Sequence, residues 1–147
     1  MGVAVIIRKG LICLVALLSC VTFRGAFACM PLPDYSSDPG YLRDRADLVF
    51  FGRVKTVAVN EATSRVTATF QVSRVWKGSR KSVRVVKTFL DQGACGLGTN
   101  FFKKGRRYLV YAESSSQGFI TTTLSGSKSS DDAQSDLKEL GRGRRVP

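Results

Sequence analysis

A strict alternation of apolar and polar residues at positions 66–73 limits the fold of this chain more than any other feature of its sequence. The apolar members are Val66, Ala68, Phe70 and Val72, and the polar members are Thr67, Thr69, Gln71 and Ser73. Because consecutive side chains of a β-strand point to opposite faces, this pattern predicts a strand with one buried and one exposed face. Such strands are typical of antiparallel sheets, in which one face packs on the core and the other contacts solvent.

Four more segments are rich in β-branched and aromatic residues, and turn sequences separate them. They span residues 48–59, 83–89, 107–112 and 118–124. Gly52, in the middle of the first segment, predicts a bulge or a sharp coil of the strand. Five antiparallel strands in a domain of this size predict a mainly β fold, an OB-type barrel. A seven-stranded sandwich would need two more strands than the sequence supplies.

Two short helices are predicted to flank the strands. The N-terminal helix has Ser36 or Ser37 as its cap and ends near Arg45, and the C-terminal helix begins at Asp131 and stops at Gly141. Hydroxyl side chains cap helix N-termini, acidic residues in the first turn favour the helix dipole, and glycine ends helices. The sequence therefore predicts one helix at each end of the barrel.

Residues 1–28 have the organisation of a signal peptide. Arg8 and Lys9 form a positive region, and an apolar run follows at residues 11–18. This run is shorter than the about 20 residues that a transmembrane helix needs. Residues 26–28, Ala-Phe-Ala, provide the small-x-small pattern that signal peptidase accepts. We therefore expect export to the periplasm or to the extracellular space.

Cleavage after Ala28 would make Cys29 the first residue of the exported protein. The mature chain would then consist of one domain at residues 29–141 and a basic, disordered tail at residues 142–147. An alternative cut is also present, because the sequence that ends at Cys20 resembles a bacterial lipobox. In that case Cys20 would carry a lipid and anchor the protein to a membrane.

Charge and residue types exclude several classes of function. The chain has a formal net charge of +12, and removal of the leader, with three basic and no acidic residues, lowers it to +9. The chain contains no histidine, and Cys29 and Cys95 do not form a Cys-x-x-Cys pair. In an oxidising compartment these two cysteines are expected to form one disulfide, and a reactive thiol at Cys95 is the alternative. We predict a protein that is not an enzyme and needs no cofactor.

Several segments of the chain, taken together, resemble the bacterial relatives of tissue inhibitors of metalloproteinases, which belong to the netrin-like group. The segments are Cys29, residues 46–54 (ADLVFFGRV), residues 75–78 (VWKG), Cys95-Gly96 and residues 105–112 (GRRYLVYA). The resemblance covers residues 29 to about 140 and implies an OB-type barrel. It also implies pairing of Cys29 with Cys95. A second bridge of the family is missing as a unit, because Pro31 and Ser125 stand at its two positions.

The resemblance also implies a function for the N-terminal edge. In the animal inhibitors the α-amine and the carbonyl oxygen of the first cysteine bind the catalytic zinc of a metalloprotease. The side chain of the second residue enters the neighbouring specificity pocket. By position these roles fall on Cys29 and Met30, so a zinc metalloprotease is the expected partner.

Basic clusters suggest a second function of another class. The residues expected to contact an anionic partner are Lys77, Arg80, Lys81, Lys103, Lys104, Arg106 and Arg107. An exported protein with this charge is expected to act as an envelope-associated adhesion or structural module that binds anionic polymers or lipids. OB barrels also bind single-stranded nucleic acid, but export argues against that partner, and no nucleic acid is expected. Solvated turns without any partner are the remaining interpretation.

Overall fold

The structure is a computed structural model that describes residue 29, residue 31 and residues 33–147. The predicted signal peptide, the lipid-anchor alternative at Cys20 and Met30 lie outside the described residues. In chain order the elements of the described part are α1 (Pro39–Arg45), β1 (Leu48–Asn60), β2 (Arg65–Lys77), β3 (Val83–Phe89), β4 (Arg107–Ser115), β5 (Gly118–Ile120), β6 (Lys128–Ser129), α2 (Gln134–Leu140) and β7 (Arg144–Arg145). Short 3-10 turns follow β3 and β5, at Gln92–Ala94 and Thr123–Ser125. The predicted mainly β fold with two flanking helices is confirmed for this part of the chain.

Five strands form a closed ring in the order β1-β2-β3-β5-β4, and β4 pairs with β1 to complete it. Strand β6 pairs with β4 outside the ring, and β7 pairs with β2. The prediction that all five strands are antiparallel is wrong at one pair, because β3 and β5 run parallel, with Val86 opposite Phe119. The reason is topological: in a closed ring with an odd number of strands, the direction cannot alternate at every pair.

Strand β1 pairs with two neighbours, β2 and β4, and it bends at Gly52 between them. The register with β2 shifts between Phe51 and Gly52, as the sequence predicted for a bulge. A Cβ atom at Gly52 would lie 2.7 Å from the carbonyl oxygen of Gln71, so no larger residue fits there without movement. The first half of β1 can therefore pair with β4 while the whole strand follows β2.

The core inside the ring is built from the apolar face that the alternation in β2 predicted. Val66, Ala68, Phe70 and Val72 are all buried. Phe70 lies at the centre, with its ring centroid 5.2 Å from that of Phe50 and 5.2 Å from that of Phe102, both edge to face. Such pairs add about 0.5–1.5 kcal/mol each to the energy of burial. The core therefore fixes which face of each strand points outward.

The helices cover a second apolar cluster on the outside of the ring. It consists of Leu42, Ala46, Val49, Leu109, Tyr111 and Ala133. Within it the Tyr111 hydroxyl donates to Asp136 at 3.4 Å, and Lys128 pairs with the same carboxylate at 2.9 Å. Burial raises the pKa of Tyr111 well above its usual value, and the negative charge of Asp136 raises it further. Tyr111 and Asp136 are buried and Lys128 is partly exposed, and together the three residues link β4, β6 and α2.

The ends of the elements differ from their predicted positions for local reasons. Helix α1 is capped by Asp38, whose Oδ1 accepts from the Tyr41 amide at 2.9 Å, rather than by Ser36 or Ser37. An aspartate directly before Pro39 suits the cap, because proline starts helices readily at the next position.

Helix α2 begins at Gln134 rather than at Asp131, because Asp132 accepts a hydrogen bond from Ser129, the last residue of β6, and so belongs to the turn between β6 and α2. Strand β5 ends at Ile120 rather than at residue 124, because residues 123–125 form a 3-10 turn. The segment predicted as a disordered basic tail contains β7, and the Val146 amide donates to the carbonyl of Ser73 at 3.1 Å.

Candidate functional site

The predicted disulfide between Cys29 and Cys95 is present, with Cα atoms 5.1 Å apart. Cys95 follows the 3-10 turn Gln92–Ala94 and has a left-handed backbone, with φ of 60°. Its carbonyl accepts from the Thr123 amide at 2.9 Å, and the Thr123 hydroxyl lies 3.4 Å from the sulfur of Cys29. The disulfide therefore joins the N-terminal segment to the β3–β4 loop beside the turn that follows β5.

The loop that carries Cys95 is held by contacts that do not involve sulfur. Asp91 accepts from the Gly93 amide at 2.8 Å, and the Leu97 amide donates to the Thr88 hydroxyl at 3.0 Å. A side chain at Gly96 would overlap the carbonyl oxygen of Phe89, so only glycine fits after Cys95. The loop thus provides a fixed attachment point for Cys29.

Cys29 is half-buried and Pro31 is exposed at this edge. Met30, to which the resemblance assigns the pocket-directed role, lies outside the described residues. The described part of the proposed inhibitory edge is therefore Cys29, fixed through its sulfur, together with the exposed Pro31.

The basic residues selected from the sequence have different surroundings. Lys77 donates to the carbonyl oxygens of Arg43 and Asp44, at 3.2 and 2.8 Å, and so contacts the C-terminal end of α1. Arg106 pairs with Asp131 at 3.4 Å. Arg80 and Lys81 are exposed in the β2–β3 turn, Lys103 and Lys104 are exposed before β4, and Arg107 is exposed at the first position of β4. Of the seven, Arg107 alone lines the groove described next.

A groove of about 640 Å³ lies on the outer side of the sheet, between the strands and helix α2. Its basic lining residues are Arg53, Lys55, Arg74, Arg107 and Arg145. Among the residues that the structure describes, no acidic side chain lines this groove. The five basic side chains are exposed, and none forms an ion pair or a side-chain hydrogen bond with another described residue. We call this feature the arginine groove.

Two pairs of arginines face each other across strands in the arginine groove. Arg53 of β1 is opposite Arg107 of β4, and Arg74 of β2 is opposite Arg145 of β7. Like charges directly opposite each other in a sheet destabilise it. The free protein therefore carries an electrostatic cost that a bound anion would relieve.

Sequence reasoning missed most of this groove because its members are far apart in the chain. Arg53 and Lys55 are two positions apart on one strand, and this spacing indicates a shared face. Arg74 and Arg145 are brought beside them only by the pairing of β2 with β1 and β7. No local pattern in the sequence contains that pairing.

The buried side chain of Arg84 contacts residues outside the arginine groove. Arg84 is buried and donates to the carbonyl and hydroxyl oxygens of Ser79 in the β2–β3 turn, and its guanidinium lies 5.6 Å from the ring centroid of Phe119. Burial lowers the pKa of Arg84. Across the described residues, no group of three or more Cys, Asp or Glu side chains is arranged to hold a metal ion.

No protein-family model matches this chain, and no curated protein is significantly similar to it. Among the described residues, neither helix has the length and apolar character needed to cross a membrane.

Proposed function

We propose that this chain is an exported binding protein with an OB-type, netrin-like fold, and that its Cys29–Met30 edge inhibits a zinc metalloprotease. The observation that carries this proposal is the disulfide that attaches Cys29 to the fixed loop around Cys95. The closed ring of five strands supports the fold assignment, since an OB-type barrel is a five-stranded Greek-key barrel. A shared fold does not by itself define an activity, so the test addresses the edge directly.

The chemistry of the edge suits a catalytic zinc. Such a zinc has three protein ligands and keeps one position for water or substrate. After cleavage at Ala28, the uncharged α-amine and the carbonyl oxygen of Cys29 would replace that water as a two-atom chelate. The disulfide and the neighbouring Thr123 restrict Cys29 before binding, which lowers the entropic cost of association. The flexible, apolar Met30 suits a hydrophobic specificity pocket.

The test compares two versions of the protein that differ by one residue. One begins at Cys29, and the other keeps Ala28 in front of it, so its α-amine is displaced from the zinc. Both are assayed against a panel of zinc endopeptidases with a peptide substrate, after mass spectrometry has verified the disulfide. We expect inhibition by the first version and none by the second. Equal inhibition by both, or no inhibition across the panel, would rule out the chelate.

A second function is favoured by the charge of the described surface. We propose that the protein also binds anionic polymers of the cell envelope through its basic face. The observation in support is that the five basic residues of the arginine groove have no acidic partner among the described residues that line it. This function predicts binding that weakens steeply with salt and does not depend on the N-terminus.

A further inference from the structure

We propose that the arginine groove is the binding site for a single linear polymer that carries phosphate or sulfate groups. This inference rests on the second function proposed above and specifies its site and the chemistry of its ligand.

The arginines are arranged along a line across the sheet. The strand order across the groove is β4, β1, β2 and β7, and each strand contributes one arginine: Arg107, Arg53, Arg74 and Arg145. Three spacings of about 4.8 Å between neighbouring strands place the outer two about 14 Å apart across the sheet. A polymer that crosses the strands therefore meets a guanidinium group on each of four strands in turn.

The register also offsets the two arginine pairs along the strands. Arg53 is opposite Arg107, whereas Phe51, two positions earlier on β1, is opposite Arg74. Two residues of a strand span about 6.6 Å. The path of positive charge is therefore diagonal, and Lys55 extends it on the same face of β1. A line of charges of this length suits a chain with repeated anionic groups better than one small anion.

The side chains favour phosphate or sulfate oxygens. A guanidinium group presents a planar fork of donors that matches two oxygens of one phosphate, and it is only weakly hydrated. The amide groups of Gln71 and Gln134 also line the groove, and Phe51 and Leu137 give it an apolar part. An extended polymer can place charged groups on the arginines while its uncharged backbone contacts these apolar side chains.

Two other partners fit less well. A lipid surface is flat, whereas the basic residues line a groove that helix α2 borders, so a narrow polymer can follow them better than a membrane can. Single-stranded nucleic acid needs aromatic side chains on which bases can stack. Phe51 is the one aromatic residue among the described residues that line the groove, and the nearby Trp76 donates to the Gly141 carbonyl at 3.1 Å.

The experiment uses the protein as recovered from its expressing host, with its disulfide intact, and two variants that lose equal charge. The groove variant is Arg53→Gln/Arg74→Gln/Arg145→Gln. The control variant is Arg43→Gln/Arg45→Gln/Lys138→Gln, at positions on the two helices that neither line the groove nor belong to the basic clusters named from the sequence. Affinity for inorganic polyphosphate and for dextran sulfate is measured between 0.05 and 0.3 M salt, values on the order used to count phosphate contacts.

We expect the groove variant to lose roughly tenfold or more in affinity and to reduce the slope of log K against log salt by about two to three, because three contacts are removed. The control variant should change affinity by less than about threefold. The groove variant should also unfold at a temperature no lower than the unmodified protein, because it relieves like-charge repulsion. If it fails to fold, the variant Arg53→Lys/Arg74→Lys/Arg145→Lys keeps the charge and removes the fork, and a loss of affinity at an unchanged salt slope is expected.

The outcomes separate this inference from the function on which it rests. Equal losses in both triple variants would leave the second function standing and refute the groove as its site. No binding by the unmodified protein to either polymer would refute both. Tighter binding to a thymidine homopolymer of equal charge, or binding to anionic vesicles that the groove variant does not weaken, would overturn the assignment of the ligand. The polymer that binds with the higher affinity identifies phosphate or sulfate as the preferred group.

Discussion

Removal of the Cys29–Cys95 disulfide should lower the free energy of unfolding by about 4 kcal/mol. The bridge joins residues 66 positions apart in the chain, so it closes a loop that contains α1, β1, β2 and β3. In the loop-entropy model, a closed loop of about 67 residues removes about 15 cal/mol/K from the unfolded chain, which is about 4 kcal/mol at 25 °C. This is a large share of the 5–15 kcal/mol that typically stabilises a domain.

The native state should change little when the bridge is broken. Cys29 is only half-buried, and the Cys95 loop keeps its hydrogen bonds through Asp91, Thr88 and Thr123. The loss should therefore arise from the greater freedom of the unfolded chain rather than from broken native contacts.

Equilibrium unfolding in urea measures this difference directly. The oxidised protein is compared with the reduced protein and with the double variant Cys29→Ser/Cys95→Ser, which has no thiol at either position. We expect the reduced protein and the double variant to agree within about 0.5 kcal/mol, the usual effect of a surface substitution. The reasoning is refuted if the loss is below about 1 kcal/mol, or if the reduced protein has no cooperative transition, since typical bridges contribute 2–4 kcal/mol.

Three further predictions concern single positions. Asp136→Asn should lower the free energy of unfolding by about 2 kcal/mol, because it leaves the charge of Lys128 without its partner. The loss is smaller than for a fully buried ion pair because Lys128 is partly exposed. Adding Lys128→Met should recover part of the loss, as measured by urea unfolding. Loss of hydration raises the pKa of Glu139, and the charge of Asp38 and a hydrogen bond with Asp38 raise it further. Ionised Glu139 therefore destabilises the folded state at a pH above its pKa, whereas protonated Glu139 does not. Glu139→Gln should raise the unfolding temperature at pH 7 but not at pH 3. Gly96→Ala should lower the free energy of unfolding by about 2–3 kcal/mol in the same assay, because the added methyl group would overlap the Phe89 carbonyl. Gly105→Ala is the control, because no described atom lies near the added methyl group, and its cost should be limited to that of a positive φ.

Most strands and both helices could be predicted because local sequence patterns determine them. The alternation in β2 identifies a buried face, and Gly52 marks the bulge at which β1 coils. The parallel pairing of β3 with β5 could not be read in the same way, because it follows from closing an odd number of strands rather than from either strand's sequence. The cap at Asp38 was missed because three neighbouring residues can each accept the necessary hydrogen bond.

The candidate sites differ in how far the sequence predicts them. The disulfide needed little structural information, since Cys29 and Cys95 are the two cysteines outside the predicted leader. The arginine groove needed the tertiary structure, because its members at positions 53, 74, 107 and 145 lie on four strands. The basic composition of residues 142–147 predicted a disordered tail. Backbone pairing of Arg144 and Arg145 with β2 competes with that tendency.

The arginine groove also bears on why this surface has its present composition. Natural sequences usually agree with their folds at every level, and local violations tend to occur where function requires them. Arg53 opposite Arg107, and Arg74 opposite Arg145, are such violations, because glutamine or threonine at these exposed positions would suit the strands without repulsion. Each pair adds an electrostatic repulsion that destabilises the sheet, and both pairs lie in the same groove. Recognition of a polyanion gives a physical reason for both pairs, whereas general solubility would be served equally by charges placed far apart.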